Sequence, residues 1–121
     1  MTATATMVDV AAVKSEMLLA ASNASAEYVA RHYGGADSGA CGFAWATLYP
    51  EHKGNTRAGK AEREVFRALG FSPDWTGKSF QFWNPGKWGG QNIDTKEAGA
   101  RAAVAVLKKY GFKASAGSRL D

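Results

Sequence analysis

The segment from Cys41 to Tyr49 constrains the fold more than any other part of the chain, because its side chains alternate between two kinds. The bulky positions are Phe43, Trp45, Thr47 and Tyr49, and the small or aliphatic positions are Gly42, Ala44, Ala46 and Leu48. A period of two that includes aromatic residues is typical of a β-strand. Since both faces are largely apolar, we expect a central strand covered on both faces, with a helix on the small side.

Three helices are predicted from apolar residues at helical spacing. The first covers residues 8–33 and is interrupted at Ser22-Asn23, as one broken helix or two short ones. The second begins near Asn55 or Thr56, either of which can cap it. Its expected buried stripe is Ala58, Ala61, Val65, Ala68 and Leu69. Gly70 followed by Phe71 predicts a left-handed stop with an apolar anchor.

The third helix is expected to open at Asp94, with Glu97 completing a capping box. Its core-facing residues are predicted to be Ala100, Ala103, Val104 and Leu107. Gly111 and Phe112 repeat the stop of the second helix. Two further strands are predicted, at Lys78–Trp83 and Lys113–Arg119, with a turn over residues 72–77.

The order of these elements predicts an α+β fold: a small two-layer domain with about three strands, mostly antiparallel or mixed, packed by helices. Residues 1–7 are Ala- and Thr-rich, apart from the Met at each end, and are expected to form a flexible leader. Residues 8–121 are then a single α+β ligand-binding domain, since a chain of 121 residues supports one core.

Charge and cysteine content narrow the classes of function. Fifteen Lys and Arg residues against eleven Asp and Glu give a net charge of +4, which favours anionic partners without requiring nucleic acid. One cysteine excludes an intrachain disulfide framework and a Cys-rich zinc site, and it fits the cytoplasm. No apolar stretch approaches the ~20 residues of a membrane helix. We expect no membrane association, no metal, no cofactor and no catalytic set.

The segment Gly54 to Lys60 satisfies the phosphate-loop spacing G-x-x-x-x-G-K between a strand and a helix. Ala61 follows where Ser or Thr would hold Mg²⁺, so the pattern argues against an NTPase. A helix N-terminus flanked by basic residues remains a candidate anion site, formed by Asn55, Thr56 and Arg57. The alternative is a solvated basic first turn.

Other candidate ligand-binding residues lie at the end of the first helix and at the C-terminal strand. Arg31, with His32, runs into a glycine-rich loop that could hold a phosphate, although Arg31 is equally a cation at a helix end. Arg119 and Asp121 share a face with Ser115 and Gly117, which leaves room for a flat ligand. The alternative is an exposed edge with an ion pair. Among the tryptophans, we expect Trp88 to be exposed and Trp75 to be a structural clasp.

Three short segments carry a resemblance to a known family. They are Arg31-His32-Tyr33-Gly34-Gly35, Ser38 to Trp45, and Ser118-Arg119-Leu120-Asp121. In these segments the chain resembles the first family of Thoeris anti-defence proteins, which bacteriophages encode. Those proteins are sponges that capture cyclic ADP-ribose signals made by bacterial TIR-domain enzymes.

The resemblance implies that the protein binds a cyclic ADP-ribose isomer without degrading it, in the host cytoplasm, as dimers that assemble into hexamers. Arg31, Arg119 and Asp121 match the family's ligand-binding positions, with His32 beside them and Trp88 and Asn92 added by proximity. Asn55, Thr56 and Arg57 are the candidates for a second site that takes a cyclic di- or trinucleotide.

Two other functions stay open at the level of sequence. The basic and aromatic residues suit a small nucleic-acid-binding protein. The same aromatic residues suit a structural or interaction protein that docks on another protein.

Overall fold

A computed structural model describes residues 9–33 and 39–121 as three helices and four strands. In chain order these are α1 (Val10–Tyr33), β1 (Gly42–Leu48), α2 (Arg57–Ala68), β2 (Ser72–Pro73), β3 (Phe80–Trp83), α3 (Ile93–Lys109) and β4 (Ala114–Leu120). The strands form one antiparallel sheet in the order β2-β3-β1-β4. The predicted α+β class is confirmed, with four strands rather than about three.

The helices pack on the small-residue face of β1. α3 lies over β1 and β4, and α1 packs against α3. Gly42 allows this approach, because a Cβ there would lie 2.7 Å from both the Ile93 side chain and the Arg119 carbonyl oxygen. One apolar core joins the three helices to this face, and its largest fully buried side chains include Met17, Leu48, Phe66, Leu69, Phe80 and Leu107.

The other face of the sheet was expected to be covered, and that expectation is wrong. Of its side chains Thr47 is buried, but Phe43 and Trp45 are only partly buried and Tyr49 is exposed, whereas Ala44, Ala46 and Leu48 on the helix side are all buried. The reason is steric: the short side chains let a helix approach the backbone closely, and the bulky ones hold it off. We call the face that carries Phe43, Trp45, Thr47 and Tyr49 the open face.

The predicted interruption of the first helix at Ser22-Asn23 is also wrong, since α1 is continuous. Both residues lie on its exposed side. On the opposite side Ser25 is buried and its hydroxyl donates to the Thr95 carbonyl oxygen at 2.9 Å. Gly99 permits this contact, because a Cβ there would lie 2.6 Å from Ser25 Oγ. Packing against α3 therefore overrides the weak helix propensity of the Ser-Asn pair.

The buried stripe of α2 differs from the predicted one. Its buried residues are Gly59, Glu62 and Phe66, followed by Leu69 at the C-cap, while Ala58, Ala61 and Ala68 are exposed and Val65 is partly buried. The carboxylate of Glu62 accepts hydrogen bonds from the Glu51 and His52 amides of the preceding loop, at 2.9 and 3.1 Å. This loop contact and the large Phe66 ring set the rotation of the helix, and an apolar period does not reveal a buried carboxylate.

The two glycine stops are confirmed. Gly70 has φ +100° and Gly111 has φ +90°, a region that favours glycine. The Phe71 amide donates to the Phe66 carbonyl oxygen and the Phe112 amide donates to the Leu107 carbonyl oxygen, both at 3.0 Å. Both phenylalanine side chains are buried, so each helix is turned back toward the core at its end.

Smaller differences concern the start of α3 and the residues after α2. α3 is capped by Asn92 rather than opened at Asp94, and its predicted core-facing residues are all buried. Ser72 and Pro73 form a short edge strand, and the turn occupies residues 74–77. Across the described residues, no helix combines the length and the apolar character needed to span a membrane.

Candidate functional site

Three aromatic side chains form a contiguous surface on the open face, which we call the aromatic platform: Phe43, Trp45 and Trp83. Trp45 and Trp83 are directly opposite on β1 and β3, and their rings stack with centroids 4.6 Å apart at 31°. Phe43 meets Trp83 edge to face, with centroids 6.0 Å apart at 68°. The indole N–H of Trp83 donates to Gln81 Oε1 at 3.2 Å, which fixes that ring within the sheet surface.

Gly117 on β4 lets Trp45 lie flat. It is directly opposite Trp45 in the sheet, and a Cβ at Gly117 would lie 2.7 Å from the indole Cε2 and Nε1 atoms. The prediction that Gly117 leaves room for a ligand beside Arg119 is therefore wrong at this point, because the Trp45 indole fills that room. The platform extends over β3, β1 and the backbone of β4.

Two cations lie close to the Phe43 ring. Arg119 is opposite Phe43 on β4, and its guanidinium carbon lies 5.5 Å from the ring centroid. Lys96, from the first turn of α3, brings its ammonium nitrogen to 5.5 Å from the same centroid. Lys96 is only 8% exposed and donates to the Gly42 carbonyl oxygen at 3.0 Å. Both contacts fall within cation–π range, so positive charge is fixed beside stacking surfaces.

This arrangement suits a ligand that is flat at one end and anionic at the other. Exposed aromatic faces stack on nucleobases, and Arg and Lys neutralise phosphate. Of the residues predicted from the C-terminal segment, Arg119 lies beside the platform, and Asp121 follows β4 directly, with its amide donating to the Cys41 carbonyl oxygen at 3.1 Å. Asp121 is exposed.

Arg31 and His32 lie in the helical layer, at the end of α1, and are not part of the platform. Arg31 forms an ion pair with Glu27 at 2.5 Å, and the His32 ring contacts Tyr28 with centroids 4.2 Å apart. Arg31 lines a shallow groove of about 220 Å³ that also includes Ala98 of α3. The glycine-rich loop predicted to act with Arg31 covers residues 34–39, of which 34–38 lie outside the described residues. The helical layer and the open face thus keep Arg31 and Arg119 on different sides of the sheet.

The most exposed tryptophan is Trp75, at 95% exposure; Trp83 of the platform is also exposed, whereas Trp88 is partly buried. The Asn84 side chain holds the Trp88 backbone, donating to its carbonyl oxygen at 3.0 Å and accepting from its amide at 3.3 Å. The structural role predicted for Trp75 is wrong, because hydrogen bonds to the Asp74 side chain stabilise that turn instead. Hydrogen bonds from Thr76, and then from Ser79, lower the pKa of Asp74 to about 2.

Asn92 has a structural role in the fold. It is 2% exposed and its side-chain oxygen accepts from the Asp94 amide at 2.9 Å, which caps α3. Its side chain packs beneath Gly39, where a Cβ would lie 3.0 Å from Asn92 Nδ2. The amide therefore joins the start of α3 to the segment that leads into β1, and the buried position leaves little of it for a ligand.

In the candidate second anion site, the Thr56 side chain is hydrogen-bonded within its own loop and helix N-terminus. Thr56 caps α2: its hydroxyl accepts from the Gly59 amide at 3.0 Å and donates to the Lys53 carbonyl oxygen at 2.7 Å. A Cβ at Gly59 would lie 1.8 Å from the same Lys53 oxygen. The second glycine of the phosphate-loop spacing is thus required for helix–loop packing. Asn55 and Arg57 are exposed beside this cap.

Sequence reasoning missed Lys96 and the pairing of Trp45 with Trp83. The alternation in β1 does place Phe43 and Trp45 on one face, but the register between β1 and β3 is needed to add Trp83. Nothing in the sequence distinguishes Lys96 from other lysines of a first helical turn. Among the described residues, no three His, Cys, Asp or Glu side chains are grouped so that they could hold a metal ion.

Comparison of the chain with protein-family models, curated protein sequences and solved structures finds no match.

Proposed function

We propose that the protein binds a phosphate-bearing nucleotide on its aromatic platform and sequesters it without chemical change. The ligand class is a cyclic ADP-ribose isomer, with cyclic di- and trinucleotides as further candidates, and the biological role is that of an anti-defence sponge in the host cytoplasm. The observation that carries the proposal is the pair of cations, Arg119 and Lys96, within 5.5 Å of the Phe43 ring centroid, next to the stacked indoles of Trp45 and Trp83.

The chemistry of the platform supports binding rather than turnover. The exposed indole of Trp83 offers a π face for an adenine, and the two cations beside Phe43 offer charge for a pyrophosphate. A stacked base with a neutralised phosphate gains affinity without a nucleophile being placed against the glycosidic or phosphate bonds. Arg31 and His32 join such a site only from another copy of the chain, since they lie in the helical layer. In the proposal, Arg119 and Asp121 provide polar contacts at the rim of the platform.

The direct test is calorimetric titration with cyclic ADP-ribose isomers and cyclic di- and trinucleotides, followed by heating and mass spectrometry of the released ligand. We expect binding, and recovery of the ligand at unchanged mass. Trp83→Ala is expected to weaken binding about tenfold or more, because stacking on one aromatic side chain contributes about 1–3 kcal/mol. Trp75→Ala is the matched control, since Trp75 is exposed and lies off the platform. Equal loss in the two variants, or recovery of a cleaved product, would refute the proposal.

A second candidate is single-stranded nucleic-acid binding, and it is favoured by the open form of the platform. An uncovered antiparallel sheet with aromatic side chains admits successive bases along a strand. Titration with a short single-stranded DNA at increasing salt separates the two functions. A steep linear fall of log affinity with log salt supports the nucleic-acid function, and a flat response removes it.

A further inference from the structure

The β4 strand forms one edge of the sheet, and its outward backbone groups are identified by its pairing with β1. The Lys113 carbonyl oxygen accepts from the Tyr49 amide and the Asp121 amide donates to the Cys41 carbonyl oxygen, so the odd-numbered residues direct their backbone groups toward β1. Because these groups alternate along a strand, those of the even-numbered residues are directed away from the sheet. These residues are Ala114, Ala116, Ser118 and Leu120.

From Ala114 to Ser118 this edge lacks the devices that usually block pairing. Natural edge strands are kept short or carry proline, a bulge or charged side chains. β4 has seven residues, and from Ala114 to Ser118 it contains neither proline nor charge. The other edge differs, since β2 has two residues, of which one is Pro73. The unprotected edge of β4 is therefore suited to pairing with another strand.

An apolar side chain and a groove lie along this edge. Leu120 is 66% exposed and shares the helix-facing side of β4 with Ala114 and Ala116. Between α3 and β4 runs a groove of about 350 Å³, whose lining combines apolar Val104, Ala105 and Ala116 with Arg101, Lys108 and Ser115. A strand added to β4 would cover this groove, and an apolar side chain on the added strand would enter it.

We propose that β4 pairs antiparallel with β4 of a second copy of the chain, centred on Gly117. This is the register in which the whole strand Ala114–Leu120 pairs with itself, because Gly117 is its midpoint. It continues the sheet across two copies, four strands from each. In this register Leu120 is opposite Ala114 of the other copy, on the helix-facing side where the groove lies.

Charge complementarity identifies the occupant as a second copy. Pairing about Gly117 sets Lys113 opposite Asp121 at both ends of the contact, and both residues are exposed. Among the described residues, neither makes an ion pair within the chain. Directly opposed side chains of opposite charge stabilise an antiparallel pair by about 0.2–1 kcal/mol each.

The inference does not rest on ligand binding, and it would make two platforms continuous. Directly opposed residues of an antiparallel pair share a face, so both open faces lie on the same side. Arg119 of the second copy is then opposite Ser115, one strand beyond the Gly117 backbone that supports Trp45. Each copy thus adds a guanidinium at the border of the other copy's platform.

The test is sedimentation equilibrium of the full chain without ligand. We expect a dimer whose dissociation constant rises about tenfold in Lys113→Asp and in Asp121→Lys, because each change replaces two attractive pairs with two repulsive ones. The double variant K113D/D121K is expected to restore the wild-type constant. Lys78→Asp carries the same change of charge away from β4 and serves as the control.

Ala116→Pro gives a second test, because its amide faces outward and makes no hydrogen bond within the sheet. It should remain folded by circular dichroism and sediment as a monomer. A wild-type chain that is monomeric at all concentrations overturns the inference. A dimer whose dissociation constant is unchanged by Ala116→Pro and by both charge reversals also overturns it. So does a dimer that each single charge reversal weakens but that the double variant does not restore. Failure of nucleotide binding leaves the inference intact, because no ligand is present in these measurements.

Discussion

The two faces of the sheet are made by the same strands and have opposite properties. On one face Ala44 and Ala46 are buried under α3, and on the other Phe43 and Trp45 remain partly exposed beside fixed cations. Side-chain size decides the difference, because a helix can approach a strand closely only where the side chains are short. The covered face supplies most of the core, and the open face supplies the candidate binding surface.

This division predicts that substitutions separate by face: those on the covered face reduce stability, and those on the open face reduce ligand binding. The largest effect is expected for Phe66→Ala. Phe66 is 1% exposed and contacts the rings of Phe80 and Phe112. Its truncation should lower the free energy of unfolding by about 3–5 kcal/mol in urea titrations. Nucleotide affinity of the folded fraction should be unchanged, and a loss of less than ~1 kcal/mol would contradict the core assignment.

Substituting one glycine on each face allows the two faces to be compared directly. Gly42→Ala brings a Cβ against a backbone oxygen and the Ile93 side chain, and should cost about 1–3 kcal/mol of stability. The nearest neighbour of a Cβ in Gly117→Ala is the Trp45 indole, which can swing away, so its cost should be smaller while ligand affinity falls. Thermal unfolding and calorimetric titration of both variants measure the contrast. If the two variants lost the same amount of stability and the same amount of ligand affinity, the contrast between the faces would be wrong.

Replacing the two cations near the Phe43 ring should have different effects on stability. Lys96→Met leaves the buried Gly42 oxygen without its ammonium partner and should cost about 1–3 kcal/mol in chemical unfolding. Arg119→Met removes an exposed cation–π contact worth about 1 kcal/mol or less. Both variants should bind nucleotide more weakly. A larger stability loss for Arg119→Met than for Lys96→Met would reverse the proposed order.

The smallest effect is expected in the β2–β3 turn, which belongs to neither face. Hydrogen bonds from Thr76 and Ser79 lower the pKa of Asp74 from 3.8 to about 2. A lowered folded-state pKa contributes stability above the unfolded value, and that contribution is lost as pH falls from about 4 through about 2. Asp74→Asn should therefore lose less stability than the wild type over this interval. Melting temperatures of the wild type and Asp74→Asn at several acidic pH values test this prediction. If the two melting temperatures fell in parallel with pH, Asp74 would make no such contribution.

Local signals in the sequence predicted much of the covered face. The alternation in β1, the two Gly-Phe stops and the apolar period of α3 were sufficient, because each reflects the conformation of a few neighbouring residues. The same reasoning failed for α2, where the buried Glu62 carboxylate is bound by loop amides and so departs from an apolar pattern. It also failed for Ser22 and Asn23, whose helical conformation depends on contacts of α1 with α3.

The open face was harder to predict, because it depends on which strands are neighbours. Phe43 and Trp45 were assigned to one face from their spacing, but Trp83 and Arg119 join them only through the registers of β3 and β4. Lys96 reaches the same ring from a helix. The exposure predicted for Trp88 is wrong because the glycines around it indicate a loose loop, whereas the Asn84 side chain holds that loop in place.

The short β2 strand has a consequence for how far any assembly through the sheet can grow. Ser72 and Pro73 leave that edge with two residues, and proline offers no amide to a further strand. A contact through β4 uses the same strand on both sides, so it is satisfied by a single neighbour. With β4 paired in this way, the short proline-containing edge at β2 disfavours the fibril-like polymerisation to which a sheet with two receptive edges is prone.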